Sequence, residues 1–122
     1  MTGKLVEDLL ISGGTTPGVY YSSAIPLGDD NGAMAELWVT SVDATFSTLG
    51  SVVVTAEGSN DGINFDTSGV ATATLSTAPG WNAGTPSAVI PWAWLRLRIE
   101  ITGATGTVTA LVSASIRTFR AG

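Results

Sequence analysis

The chain of 122 residues contains no cysteine and no histidine. Without cysteine there is no disulfide framework, no thiolate nucleophile and no sulfur-based zinc cluster. Without histidine the commonest general base and the commonest transition-metal ligand are missing, and the Ser/His/Asp and Cys/His nucleophile systems go with them. Charge is also scarce: 12% of residues are charged, against 44% hydrophobic. Such a composition excludes disorder, which needs high charge and low hydrophobicity. It implies that both sheet faces are covered or that much surface meets other subunits. No apolar run reaches the roughly 18 residues of a membrane-spanning helix. Glu7 and Asp8 interrupt the stretch where a signal peptide would need continuous apolar residues, and no Asn-x-Ser/Thr sequon occurs. The expectation is a protein folded in a cytoplasm, with no membrane partner. Nucleic acid is disfavoured too, because five Lys and Arg residues on a chain of net charge −5 supply few phosphate contacts. No glycine-rich segment leads into the Lys-Ser/Thr of a phosphate-binding loop.

What is present is strand grammar. Val52-Val53-Val54 is β-branched and suits a pleated backbone, and the run breaks at Ser59-Asn60-Asp61-Gly62. Asp-Gly reads as a tight reversal with Gly62 at positive φ, after which Ile63 and Phe65 resume an extended pattern. Ala93–Thr102 alternates cleanly: Leu95, Leu97, Ile99 and Ile101 on one face, Trp94, Arg96, Arg98 and Glu100 on the other. Val108, Ala110, Val112, Ala114 and Ile116 give the last strand an inward face. Val19–Leu27, Met34–Val42 and Val70–Thr77 read as further strands, and Ala78–Pro86 as the longest loop. The fold expected is all-β: an antiparallel β-sandwich, jelly-roll-like or immunoglobulin-like, of about seven or eight strands in one domain.

Residues 1–18 stand apart, because Gly13-Gly14-Thr15-Thr16-Pro17-Gly18 cannot continue a regular element. They read as an N-terminal arm or an edge strand, with residues 19–122 forming the sandwich. Leu5, Val6, Leu9, Leu10 and Ile11 are too apolar for a solvated tail, and cover by a neighbouring subunit is the favoured expectation. Charge is divided along the chain. Residues 1–66 hold nine of the ten acids, and residues 67–122 hold all four arginines. Either the halves neutralise each other within one fold, or they form complementary edges between copies.

Candidates for chemistry are thin. Glu57, Asp61 and Asp66 offer carboxylates for glycoside hydrolysis, but Asp61 is required by the turn. Asp29, Asp30 and Asn31, or Asn60, Asp61 and Asp66, offer hard oxygens for calcium without EF-hand spacing. Asx residues in turns serve backbone geometry first, so no metal or cofactor site is expected. Trp81, Trp92 and Trp94 read either as core and subunit-interface groups or as a sugar-stacking platform. Trp94 shares its face with two arginines, a stacking worth about 0.5–1 kcal/mol when exposed. The residues expected at an interface are Leu5, Leu9, Leu10, Trp38, Trp81, Trp92, Trp94, Arg96 and Arg98.

The stretch Thr55-Ala56-Glu57-Gly58-Ser59-Asn60-Asp61-Gly62-Ile63-Asn64-Phe65, followed by Trp94-Leu95-Arg96-Leu97-Arg98-Ile99, resembles small β-sandwich structural proteins of tailed bacteriophages. Those carry a strand ending in an EGS-x-DG-x-N/T-W/F turn, an aromatic-x-R strand, and a Thr/Val-rich last strand like Gly106–Val112. The resemblance spans roughly Ser51 to Ile116. A weaker likeness, through the SNDG-x-N-W turn, is to discoidin-like domains that bind carbohydrate or lipid. Phe65 stands where Trp is usual, and Trp94 where Tyr is usual. The first resemblance implies a non-enzymatic virion protein, most directly a head decoration or cement protein. Its partners would be the major capsid protein and copies of itself, with a trimer as the expected oligomer. The second implies a ligand-recognition module with Trp81 and Asn60-Asp61 on one contact surface.

Overall fold

The computed structural model describes residues 2–43, 47–75, 80–84, 86–87 and 90–120. Nine strands form among them: β1 (Thr2–Gly13), β2 (Gly18–Tyr21), β3 (Ile25–Pro26), β4 (Gly32–Asp43), β5 (Leu49–Ser59), β6 (Asp66–Leu75), β7 (Gly80–Ala83), β8 (Trp94–Gly103) and β9 (Val108–Phe119). They build two antiparallel sheets. Sheet A has the order β1-β9-β4-β7; sheet B has the order β2-β8-β5-β6, with β3 also on β8. The pairs are nested. β5 pairs β6, β4 pairs β7, β2 and β3 pair β8, and β1 pairs β9. The chain is therefore one long hairpin, rolled up, with residues 60–65 at its tip. If β2 and β3 are counted as one interrupted strand, this is the eight-stranded jelly roll. The immunoglobulin-like alternative is excluded by this strand order.

The alternation read from β8 holds: Leu95, Leu97, Ile99 and Ile101 are fully buried. They share one core with Ala33, Ala35, Leu37 and Val39 of β4, Val52 and Val54 of β5, and the inward row Val108–Ile116 of β9. Small alanines on β4 and β9 complement large aliphatics on β8, as close packing between two sheets requires.

Of the two readings of the amino-terminal segment the edge strand holds, and three other local expectations are corrected. Residues 2–13 do not project as an arm but run along β9 as the edge strand of sheet A, with Val6 and Ile11 in the core. A bulge between Val6 and Leu9 explains the mixed pattern there: Asp8 takes φ 48°, and its N–H donates to Ser113 Oγ at 3.0 Å. The expected strand 19–27 is split into β2 and β3, because the Ser22 hydroxyl accepts the Leu97 N–H at 2.8 Å and replaces a ladder bond. Tyr20 turns inward, and its hydroxyl accepts from Ser12 N–H and donates to Ser12 carbonyl at 3.0 and 3.1 Å, tying the two sheets together. The loop expected over 78–86 contains β7 in its described part. The tip reverses over the six residues 60–65 rather than in two, and β6 starts at Asp66.

Candidate functional site

The tip of the long hairpin is the most constructed surface of the molecule. Ser59, buried at the end of β5, accepts the N–H groups of Asp61 and Gly62 on its hydroxyl at 3.2 and 3.0 Å and donates to Asp61 Oδ1 at 2.9 Å. Asp61 Oδ1 also accepts the N–H groups of Ile63 and Asn64, both at 2.8 Å, and Oδ2 accepts from Asn64 Nδ2 at 2.8 Å. The backbone N–H of Asn64, then that of Ile63, holds the Asp61 carboxyl far below the usual carboxylate range. Gly62 has φ 75°, as the Asp-Gly sequence predicts, and Trp94 lies within van der Waals reach of where its Cβ would stand.

Beneath the tip, on the outer face of sheet B, Arg96 sits between two rings. Its guanidinium carbon is 4.1 Å from the centroid of Tyr21 and 4.1 Å from that of Phe65. Nε and Nη2 both donate to Glu57 Oε1 at 3.0 Å. Glu57 is wholly buried, and its Oε2 has no hydrogen-bond partner among the described residues. Such a carboxylate depends on its one cation. Beside it Arg98 Nη1 meets Glu100 at 2.7 Å. Burial alone would lower the Arg98 pKa, but its bonds to Glu100 and Tyr21 outweigh that and raise it. Around this clamp Tyr21 is 52% exposed and Ile63, two residues before Phe65, is 79% exposed.

The nine expected interface residues fall into three groups. Trp94, Arg96 and Arg98 lie together on the outer face of sheet B, half-buried under the tip. Leu10, Trp38 and Trp81 lie on the outer face of sheet A, where Leu10 is 66% exposed on the β1 edge and Trp81 is 55% exposed on the β7 edge. Leu5, Leu9 and Trp92 are half-buried and pack against the core. Trp92 lies where a Cβ on Gly58 would overlap its indole, so glycine alone allows it there. Trp81, expected on one contact surface with Asn60-Asp61, lies on β7 of sheet A, whereas Asn60-Asp61 lie in the loop that follows β5 of sheet B. Sequence reasoning missed Tyr21, Phe65 and Glu36, and it did not join Glu57 to Arg96. The alternation on β8 puts Arg96 outward, but only the register of β5 on β8 brings Glu57 opposite it.

Glu57 is bound to Arg96, and Asp61 is spent on its own loop. Asp30 Oδ2 accepts the Thr118 hydroxyl at 2.6 Å, and that bond lowers the Asp30 pKa. Among the described residues no three His, Cys, Asp or Glu side chains cluster in a way that could hold a metal ion.

Fold and surface together define an antiparallel jelly-roll domain with a stapled tip. No protein-family model matches the chain, and no curated protein matches it. Solved structures of similar shape exist at low identity. One is a chain of the infectious bursal disease virus Gx strain, with TM-score 0.53 and 12% identity over 100% of this chain and 32% of that one. Another is the enzymatically active domain of bacteriophage CBA120 tailspike protein 4, with TM-score 0.51 and 9% identity over 93% of this chain and 19% of that one. A third is the SPBc2 prophage-derived protein YomS, with TM-score 0.44 and 10% identity over 95% of this chain and 90% of that one. The first two likenesses establish a shared fold.

Proposed function

We propose that the protein is a non-enzymatic structural component of a tailed-phage virion, a capsid decoration or cement protein acting through subunit contacts. Jelly rolls serve as viral coat domains and as lectins alike, so the fold does not choose; the surface must. The observation that carries the reading is Ile63. A large apolar side chain, 79% exposed, stands on a loop fixed by Asp61 and by the Arg96 clamp. An anchor of this kind, beside exposed Tyr21 and a charged rim of Arg98 and Glu100, has the anatomy of an interface hot spot. Because the tip is already ordered, little entropy is lost on docking. The likeness in fold to a chain of infectious bursal disease virus and to a phage tailspike domain agrees with this assignment, and so does the scarcity of charge. Partners are the major capsid protein and further copies of this chain, and the working location is the virion.

The test is co-sedimentation with shells assembled from the major capsid protein of the same genome, together with light scattering of the protein alone. Wild type should sediment with the shells, and Ile63→Asp should not, although its melting temperature is unchanged. A protein that ignores shells and stays monomeric overturns the reading.

A further inference from the structure

The outer face of sheet A carries a second surface, which docking through the tip leaves free. Trp81 stands directly across the ladder from Trp38, and both indoles lie on the side away from the core. Trp81 Nε1 donates to Glu36 Oε2 at 3.1 Å. The ring's single polar group is thereby satisfied, so what it offers outward is its apolar face. The strand beneath is held on both flanks. Asn82 Nδ2 donates to the Thr74 carbonyl of β6 at 2.7 Å, and the Gly84 N–H donates to the Ala35 carbonyl of β4 at 2.8 Å. An exposed ring on a short edge strand is thus fixed in place before any ligand arrives.

We propose that Trp81, with Trp38 beside it and Glu36 as acceptor, binds a saccharide. The C–H face of a pyranose ring stacks on the indole, and the Glu36 carboxylate accepts hydrogen bonds from sugar hydroxyls. Two observations favour this occupant over a protein surface. A protein docked dry over Trp81 would desolvate Glu36, whereas hydroxyl groups satisfy a carboxylate that makes no ion pair among the described residues. The patch is also narrow. Among the described residues the other large apolar side chain exposed on this face, Leu10, sits on the opposite edge strand beyond β4 and β9, so Trp81 is not the centre of the roughly 800 Å² that a stable protein contact covers on each partner. A second copy, bringing its exposed Arg117 to Glu36, is the competing occupant, and the test separates the two.

Oligosaccharides of glucose, N-acetylglucosamine, galactose and mannose are titrated to millimolar concentration into the wild-type protein and followed by the indole N–H resonances. One of the four should shift the Trp81 resonance saturably, with Kd of about 1 mM or tighter. Trp81→Ala should weaken that affinity at least about tenfold, and Glu36→Gln should weaken it while the protein melts as before. The same titration on Ile63→Asp, which disables the tip without touching sheet A, should match wild type, so this reading and the assembly reading can fail separately. No shift with any of the four, binding that survives Trp81→Ala, or a dimer that Trp81→Ala converts to monomer overturns the proposal.

Discussion

Arg96 is the residue on which the tip depends. Among the described residues it supplies the only charge paired with Glu57, and it separates two aromatic rings, so its loss removes packing and leaves a buried carboxylate uncompensated. Breaking such a pair from one side costs about 3–5 kcal/mol, and the partial exposure of Arg96 puts the expectation at the lower end. Arg96→Met should therefore lower the urea midpoint markedly, and adding Glu57→Gln should recover much of the loss, because the orphaned charge is gone. Equal destabilisation by the single and double variants would show that Glu57 needs no cation. Asp61 gives the tip a pH signature. Its folded pKa lies below the unfolded value, so its contribution is complete above about pH 4 and is lost only as pH falls through the depressed folded value. The Asp61 carboxyl resonance should stay unprotonated through the ordinary carboxylate range, and the Ile63 and Asn64 amides should hold their shifts with it. Asp61→Asn should remove that acid-side dependence. The reversal itself was legible in Asp61-Gly62, because left-handed geometry has a local chemical cause. The clamp was not, since Tyr21, Glu57, Phe65 and Arg96 meet only through strand register.

Among the elements, β8 and β9 were readable because strict alternation over a long run has a single structural meaning. Leu97→Ala should cost about 2–5 kcal/mol, the ordinary price of a core truncation, measured by denaturant unfolding. β7 was hidden because Gly80-Trp81-Asn82-Ala83 has no β-branched residue and sits among prolines; long-range pairing with β4 makes it a strand, not propensity. The pairing of Trp38 with Trp81 was invisible for the same reason. β1 was ambiguous because its bulge at Asp8 spoils both the helical and the strand period. Its place in sheet A decides what a truncation should do. Deleting residues 1–12 strips Val6 and Ile11 from the core and exposes the β9 edge, so the remainder should lose cooperative unfolding, seen as a broadened thermal transition. A truncated protein that melts like the full chain would mean that β1 is dispensable.

For the whole molecule, the division of charge along the sequence is partly resolved inside the fold, where Glu57 of the first half meets Arg96 of the second. The nested hairpin makes the most distant parts of the chain neighbours, with Thr2 opposite Arg117. So high a contact order predicts folding in milliseconds to seconds rather than microseconds, which stopped-flow fluorescence of the four tryptophans can time. β9 is central in sheet A, paired on one side with β1 and on the other with β4. A nascent chain therefore cannot finish that sheet until its last strand has cleared the ribosome. Any product of premature termination that lacks residues 108–119 leaves two long strands with unpaired backbone edges, open to proteases. Only chains that have reached Phe119 close the roll, so the topology leaves every shorter product visibly unfinished to the cell's proteases.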